Sequence, residues 1–323
     1  MERHRQIREA QRRAAVVCAG VMIGLALPVA GAAAREGTRC DEPTDMVIAY
    51  GDVIQCAISA PGEQDVFRLV GGAGQTIRVQ IADRARGAAR PCFQVRDPDD
   101  APVTRRVCGN RERDLRLERS GIYRILVTED AADGAETAQY TLATDQIDPT
   151  SPAAVPLKYG QQITDEINRR GDLDVYFFQA AANDTVAIRI ADRTPGAAAP
   201  CFRLYDPAGD ALTNRRCGNR DEEFLLATAG RHSILVTERP SRGQQEVEYR
   251  LRLSCVSGSC PSLGLDDVLT CLAIGGAPFT DGLARFTQPD EARKTDATDV
   301  RGCARFLPVP GKRFQFTIEK AAS

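Results

Sequence analysis

Two short polar motifs recur in this chain of 323 residues. Asp83-Arg84 and Asp192-Arg193 each close an alternating apolar run. Asn110-Arg111 and Asn219-Arg220 each follow a Cys-Gly pair, and Arg106 and Arg216 flank the same cysteines. Arginine presents five N–H donors in a planar fork, a shape that matches a carboxylate, a sulfate or a sugar. Arg84, Asn110, Arg111, Arg193, Asn219 and Arg220 are therefore the candidate ligand-binding residues. The competing reading is Asp-to-Arg pairing beside a Gly-Asn turn that tolerates positive φ.

Other chemistry finds little support. The only histidines are His4 and His232, and His4 lies in the leader described below. A histidine-based zinc centre needs two or three such ligands. A Ser-His-Asp triad would have to use His232. That residue sits in AGRHSILVTE, where the related stretch SGIYRILVTE has Tyr123, so a ring filling a strand position explains both. Asp97, Asp99 and Asp100 resemble a calcium loop, but the related stretch keeps only Asp206 and Asp210, and calcium takes six to eight oxygens. They read as a turn. Asn183-Asp184-Thr185 fits a glycosylation sequon but aligns with the turn at Gly74-Gln75-Thr76. No pair of carboxylates stands out for glycoside hydrolysis. The expectation is a chain without catalytic residues, metal or cofactor.

The elements that position these residues are hairpins. PCFQVRDPDDAPVTRRVCGNR (91–111) and PCFRLYDPAGDALTNRRCGNR (200–220) each hold an apolar run, an Asp-Pro turn start and a second run ending in cysteine. Cys92 and Cys108 stand 16 apart, as do Cys201 and Cys217. Folding each stretch about Asp100 or Gly209 sets its two cysteines opposite each other, close enough for a disulfide. Cys40 and Cys56 lie outside the duplicated set and are expected to pair. Cys255, Cys260, Cys271 and Cys303 allow three connectivities. Cys255–Cys260 with Cys271–Cys303 is favoured, because Ser257-Gly258 makes a tight loop; zinc ligation is the rival use of these four.

A shift of 109 residues aligns the two regions without a gap, with 36 identities in the 92 positions from Gly51 to Leu142. That period is a whole-domain duplication. Each copy is a series of short alternating runs, such as Asp65–Val70, Thr76–Ile81 and Gly121–Val127, with turns every 8 to 12 residues or so. The fold class expected is all-β, with two tandem antiparallel sandwiches. No helical period of comparable length appears in either copy.

The order of these motifs is similar to that of the bacterial pre-peptidase C-terminal domain. Gly51, Asp65, Phe67, Thr76, Asp97, Pro98, Gly121, Tyr123 and Tyr140 carry the resemblance in the first copy. Gly160, Asp174, Tyr176, Thr185, Asp206, Pro207, Gly230 and Tyr249 carry it in the second. The resemblance implies a jelly-roll-like sandwich that serves as an accessory module of exported proteins. The hairpin cysteines and the Cys-Gly-Asn-Arg motif depart from the family pattern, and no peptidase precedes the copies.

Residues 1–34 read as a signal peptide: an arginine-rich start, an apolar run and a small-residue site at Ala32–Ala34. An uncleaved anchor is the alternative. Removing this leader, with five arginines and two glutamates, leaves 37 basic and 42 acidic residues, a net charge near −5. That balance argues against nucleic acid as a partner. Ten of the 11 cysteines remain, an even number suited to an oxidising compartment. The expected organisation is copy one at 35–145, a proline-bearing linker at 146–156, copy two at 157–254 and a cysteine-containing region at 255–323. In that last region a short helix is expected from Asp266 to Gly275, a mobile polar stretch from Gln288 to Asp299, and a final strand from Arg313 to Ile318. No transmembrane segment is expected once the leader is cleaved. The function expected is non-catalytic binding or accessory work in the periplasm or outside the cell, with an envelope protein or extracellular glycan as partner. A carboxylate-based hydrolase and a structural envelope component are the alternatives.

Overall fold

Alternating runs become strands in the computed structural model, which describes residues 38–40, 45–85, 89–131, 137–151, 154–168, 171–194, 198–239, 247–261, 268–271, 273–274, 277–278, 282–287, 294–298, 303–306 and 315–320. The leader, Asp266, Asp267, Gly275, Gly276 and Arg313 lie outside these residues.

The first copy contributes β1 (Thr38–Arg39), β2 (Met46–Ile48), β3 (Val53–Ile58), β4 (Asp65–Gly71), β5 (Thr76–Asp83), β6 (Pro91–Arg96), β7 (Val107–Cys108), β8 (Arg111–Arg116), β9 (Gly121–Glu129) and β10 (Ala138–Asp148). The front sheet has the order β2-β4-β9-β6-β7 and the back sheet β1-β3-β10-β5-β8. The second copy contributes β11 (Val155–Pro156), β12 (Gln162–Ile167), β13 (Asp174–Ala180), β14 (Thr185–Asp192), β15 (Pro200–Tyr205), β16 (Arg216–Cys217), β17 (Arg220–Leu225), β18 (Gly230–Glu238) and β19 (Val247–Ser257). Its front sheet is β11-β13-β18-β15-β16 and its back sheet β12-β19-β14-β17. Pairing is antiparallel throughout, except that the short edge strands β1, β2 and β11 add in parallel.

The inward positions of each copy form one apolar cluster. Phe67, Ile77, Val79, Phe93 and Ile125 fill the first, and Phe178, Ile188, Phe202, Ile234 and Leu251 fill the second. Each core also buries a carboxyl. Asp65 meets the Tyr140 hydroxyl, and Asp174 lies 2.6 Å from the Tyr249 hydroxyl. The tyrosine thereby ties the last strand of each copy to the front sheet. His232 is fully buried and stacks on Phe178, with ring centroids 5.6 Å apart. Burial lowers its pKa, so the neutral ring acts as a packed side chain. Asp97 and Asp206 accept hydrogen bonds from backbone N–H groups two and four residues on, a turn arrangement.

Among the described residues four disulfides are formed: Cys40–Cys56, Cys92–Cys108, Cys201–Cys217 and Cys255–Cys260. In the C-terminal region the strands are β20 (Val268–Cys271), β21 (Ala273–Ile274), β22 (Ala277–Pro278), β23 (Gly282–Thr287), β24 (Lys294–Ala297), β25 (Cys303–Phe306) and β26 (Gln315–Lys320). The helix expected near Val268 is a strand instead. Its partner β25 sets Cys271 directly opposite Cys303, a pairing that overrides a weak local cap signal. Lys294–Ala297, within the stretch expected to be mobile, pairs with β23. Leu283 of β23 is buried against the core of the first copy.

The two copies are docked sheet on sheet. In an isolated sandwich the outward residues of each strand face water. Here β5 is buried at seven consecutive positions from Thr76 to Ala82, and β18 at eight from Arg231 to Glu238. Their counterparts β14 and β9 alternate. The first copy's back sheet therefore covers the second copy's front sheet. Val53, Ala143 and Ile147 meet Val175, Phe177, Tyr205 and Leu235 in a third apolar cluster. Beside it Arg78, 1% exposed, is 2.5 Å from Asp114 and donates to the Tyr205 hydroxyl at 2.6 Å. Asp114 also accepts from Arg203 at 2.9 Å and from Tyr205 at 3.0 Å, and Glu112 pairs with Arg215. The segment expected as a linker is part of this joint. β10 runs on to Asp148, Ile147 and Ala154 enter the apolar cluster, and Thr150 accepts from Arg231.

Candidate functional site

The recurrent motifs meet at the base of each hairpin. Register pairs Cys92 with Cys108 and Cys201 with Cys217, with Cα atoms 3.9 and 4.0 Å apart. The next residue must reverse direction, and Gly109 and Gly218 do so at φ +78° and +76°, where a side chain is strained. Asn110 then turns its Oδ1 to the Asp83 N–H at 2.8 Å, and Asn219 does the same to Asp192. Asp83 and Asp192 cap the following turns through Ala85 and Thr194. Both asparagines and both aspartates thus hold backbone, tying each hairpin to the end of the neighbouring β5 or β14.

The arginines are left outward. Arg84 and Arg111 are exposed and, among the described residues, neither forms an ion pair. Arg193 and Arg220 lie at the edge of ion-pair reach, 4.0 Å from Glu248 and 3.9 Å from Glu222. Neither pair is an Asp-Arg bridge within the motif.

Docking breaks the symmetry between the copies. The first copy's rim opens into a cleft of about 550 Å³, lined by Asp83, Arg90, Asn110 and Arg111 on one side and by Arg215, Cys217 and Arg239 on the other. Asn110 and Arg111 line it, while Arg84 does not. The second copy's Arg193, Asn219 and Arg220 stay outside it. Two equivalent rims in the sequence have become one composite cleft.

Three of its four arginines were missed by motif reading. Arg90 is clamped by Asp130, with contacts of 2.7 and 2.6 Å. Burial alone would raise the Asp130 carboxyl, but Arg90's hydrogen bonds and charge outweigh it and hold the carboxyl below its ordinary range. Arg215 is pushed down to about 10 by burial and by the neighbouring Arg78, and it remains charged at neutral pH. Arg239 is exposed, and its backbone N–H donates to Ala199 at 3.0 Å. Arg215 has a signal in the repeat, since it aligns with Arg106. Arg90 and Arg239 have none, because their place beside the cleft depends on docking.

The cleft can hold an anion between two rigid walls. Four guanidinium groups stand near three carboxylates: Asp130 pairs with Arg90, Glu112 pairs with Arg215 and Asp83 lines the cleft, while Arg111 and Arg239 have no carboxylate partner among the described residues. Among the described residues, the one grouping of potential metal ligands is Cys92, Cys108 and Asp130, whose sulfurs already form a disulfide. No helix among the described residues is long and apolar enough to cross a membrane.

No family model and no curated protein matches the chain. Among solved structures it is similar to PliG of Aeromonas hydrophila, a periplasmic lysozyme inhibitor of g-type lysozyme, at 18% identity over 32% of this chain and 95% of that one, TM-score 0.27. It is also similar to the pre-peptidase C-terminal domain of collagenase from Bacillus anthracis, at 14% identity over 31% of this chain and 94% of that one, TM-score 0.27. A third is the CBM22-1-CBM22-2 tandem domain of Paenibacillus barcinonensis Xyn10C, at 9% identity over 64% of this chain and 99% of that one, TM-score 0.20. These identities and scores carry no statement of function.

Proposed function

We propose that the chain is an exported, non-catalytic binding protein that takes an anionic group, a sulfate or carboxylate of a larger glycan or peptide, in the cleft between its two copies. The observation that carries this reading is the convergence of Arg111 and Arg239 from different copies on one cleft. Rigid walls support it. The hairpin disulfide and the Asn110 tie fix the Arg111 side, and the Arg78–Asp114–Tyr205 network fixes one copy against the other. A preorganised pair of forks lowers the ordering cost of binding. Export accords with the four disulfides and with the leader-like start. The order of motifs that is similar to pre-peptidase C-terminal domains accords with an accessory role.

Titration of the full chain with inorganic sulfate and with polygalacturonate, followed by calorimetry, tests the reading. Binding weakened about tenfold or more by Arg111→Gln and unaffected by Arg220→Gln is the expected result, at roughly 1.4 kcal/mol per factor of ten. Equal effects from both variants, or no binding of either anion, would overturn it. Arg84, Arg193, Asn219 and Arg220 are assigned lesser parts: Arg84 as an outer neighbour of the cleft, the other three as a solvent-facing rim.

A further inference from the structure

Where the copies meet beside the cleft, positive charge is in excess. Arg78, 1% exposed, reaches Asp114 at 2.5 Å and Glu112 at 3.6 Å on β8 of its own copy. From the second copy Arg203 pairs with Asp114 at 2.9 Å, and Arg215 pairs with Glu112. Among the described residues these contacts join three guanidinium groups to two carboxylates, and none of the five groups has a further ionic partner. All five side chains are at least three-quarters buried. A guanidinium does not shed its proton. One positive charge is therefore left unmatched in a setting where an unpaired charge is costly.

The excess belongs to this joint and not to the repeated fold. Shifting by 109 sets Ala187 against Arg78 and Gln94 against Arg203. Arg106, the counterpart of Arg215, donates to the Glu129 carbonyl of its own copy. Arg215 turns instead to Glu112 across the joint. Of the five members, Arg215 alone lines the cleft, together with Arg111 and Arg239. Burial and the neighbouring Arg78 both weigh against its charge. Its fork has five N–H donors, so one carboxylate does not exhaust it.

Building on the cleft reading above, we infer that the anion taken by the cleft is the third anion of this network, held by Arg215 as well as by Arg111 and Arg239, with Glu112 as the internal carboxylate that shares the Arg215 fork. Glu112 then sets the affinity from inside, because the ligand receives only the part of the fork that Glu112 leaves. Arg215 is also a member of the joint. A ligand that binds only the docked copies stabilises them by mass action, so an occupied cleft holds the joint more firmly than an empty one.

Calorimetric titration of the full chain with inorganic sulfate, at an ionic strength fixed by sodium chloride, reads both effects. Glu112→Gln releases Arg215 and should tighten sulfate about tenfold, the scale of one hydrogen bond to a charged group. Arg215→Gln should weaken sulfate by a similar factor. Arg215→Lys keeps the charge without the planar fork and should weaken it too. Urea midpoints give the second readout. Glu112→Gln should lose stability in chloride and regain it as sulfate saturates. Sulfate stabilises proteins generally, so this gain is read as its excess over the gain of Arg215→Gln. If Glu112→Gln does not fold even in sulfate, the two Arg215 variants decide. Sulfate binding that Arg111→Gln weakens, but that Arg215→Gln leaves unmoved or Glu112→Gln fails to tighten, would overturn this inference and leave the cleft reading standing. Sulfate binding absent from the unaltered chain, or indifferent to Arg111→Gln, would overturn both.

Discussion

Tyr249 and Tyr176 place their hydroxyl oxygens 2.5 Å apart, and each also reaches a carboxyl: Asp174 at 2.6 Å and Asp165 at 2.7 Å. Tyr249 donates to Asp174 and Tyr176 to Asp165. Burial and then the nearby Asp172 and Asp165 drive the Asp174 carboxyl well above the usual carboxylate range. The first copy has Phe67 in place of Tyr176 and so lacks the second hydroxyl. Asp145, fully buried at the joint, is pushed up to about 7, mainly by burial. A carboxyl whose folded pKa is raised stabilises the fold fully below its unfolded pKa of about 3.9, and that contribution is lost as the pH rises through the folded value. Urea midpoints should therefore fall between about pH 4 and pH 7, and Asp145→Asn should flatten that fall; an unchanged slope would refute the assignment. Arg78→Ala removes the one cation facing Asp114 from its own copy. Stripping one partner from a buried ion network costs about 3–5 kcal/mol. Chemical denaturation of this variant should show a loss of that order, and a change under about 1 kcal/mol would mean that Arg203 and Tyr205 suffice.

At the scale of elements, each hairpin was legible before any coordinates. A 16-residue cysteine spacing around an Asp-Pro turn leaves one antiparallel register, and Cys92–Cys108 and Cys201–Cys217 occupy it. Replacing Cys92 and Cys108 together by serine should lower stability by about 3 kcal/mol in the chain-entropy picture of a loop this size. Loss of Asn110 is a finer probe. Asn110→Ala deprives the Asp83 N–H of its acceptor, about 1 kcal/mol for a half-buried bond. It should also loosen Arg111, so sulfate affinity should fall although the asparagine carbonyl faces the backbone. Unaltered affinity would separate the tie from the site. The motifs did mislead in one respect: their recurrence suggested two like sites, whereas Asn and Asp recur because each copy must anchor its hairpin. The helix expected near Val268 failed for a related reason, since its strand partner Phe306, 38 residues away, lies beyond any local cap signal.

The docking of whole copies was the part that local sequence patterns did not disclose. β5 carries Arg78 and Gln80 at outward positions, which reads as a solvated face, yet both are buried. The carboxylate partner of Arg78, Asp114, lies opposite it on β8 of the same copy, but the Tyr205 hydroxyl that completes the contact lies on the other copy, so the burial of Arg78 follows from docking. In hindsight the repeat held a hint. Arg68, Arg96 and Arg124 align with Phe177, Tyr205 and Ser233, a change from charged to largely apolar across one face. Aligned positions that differ in this way mark where one duplicate is covered and the other is not. The composite cleft follows from docking, because Arg111 and Arg239 meet nowhere else. The most direct test is a double-mutant cycle on sulfate binding with Arg111→Gln, Arg239→Gln and the pair. Two forks on one anion should show an interaction energy of about 0.5–3 kcal/mol, as contacting groups do. Strictly additive losses would mean that the two copies do not share a ligand, and would contradict the account.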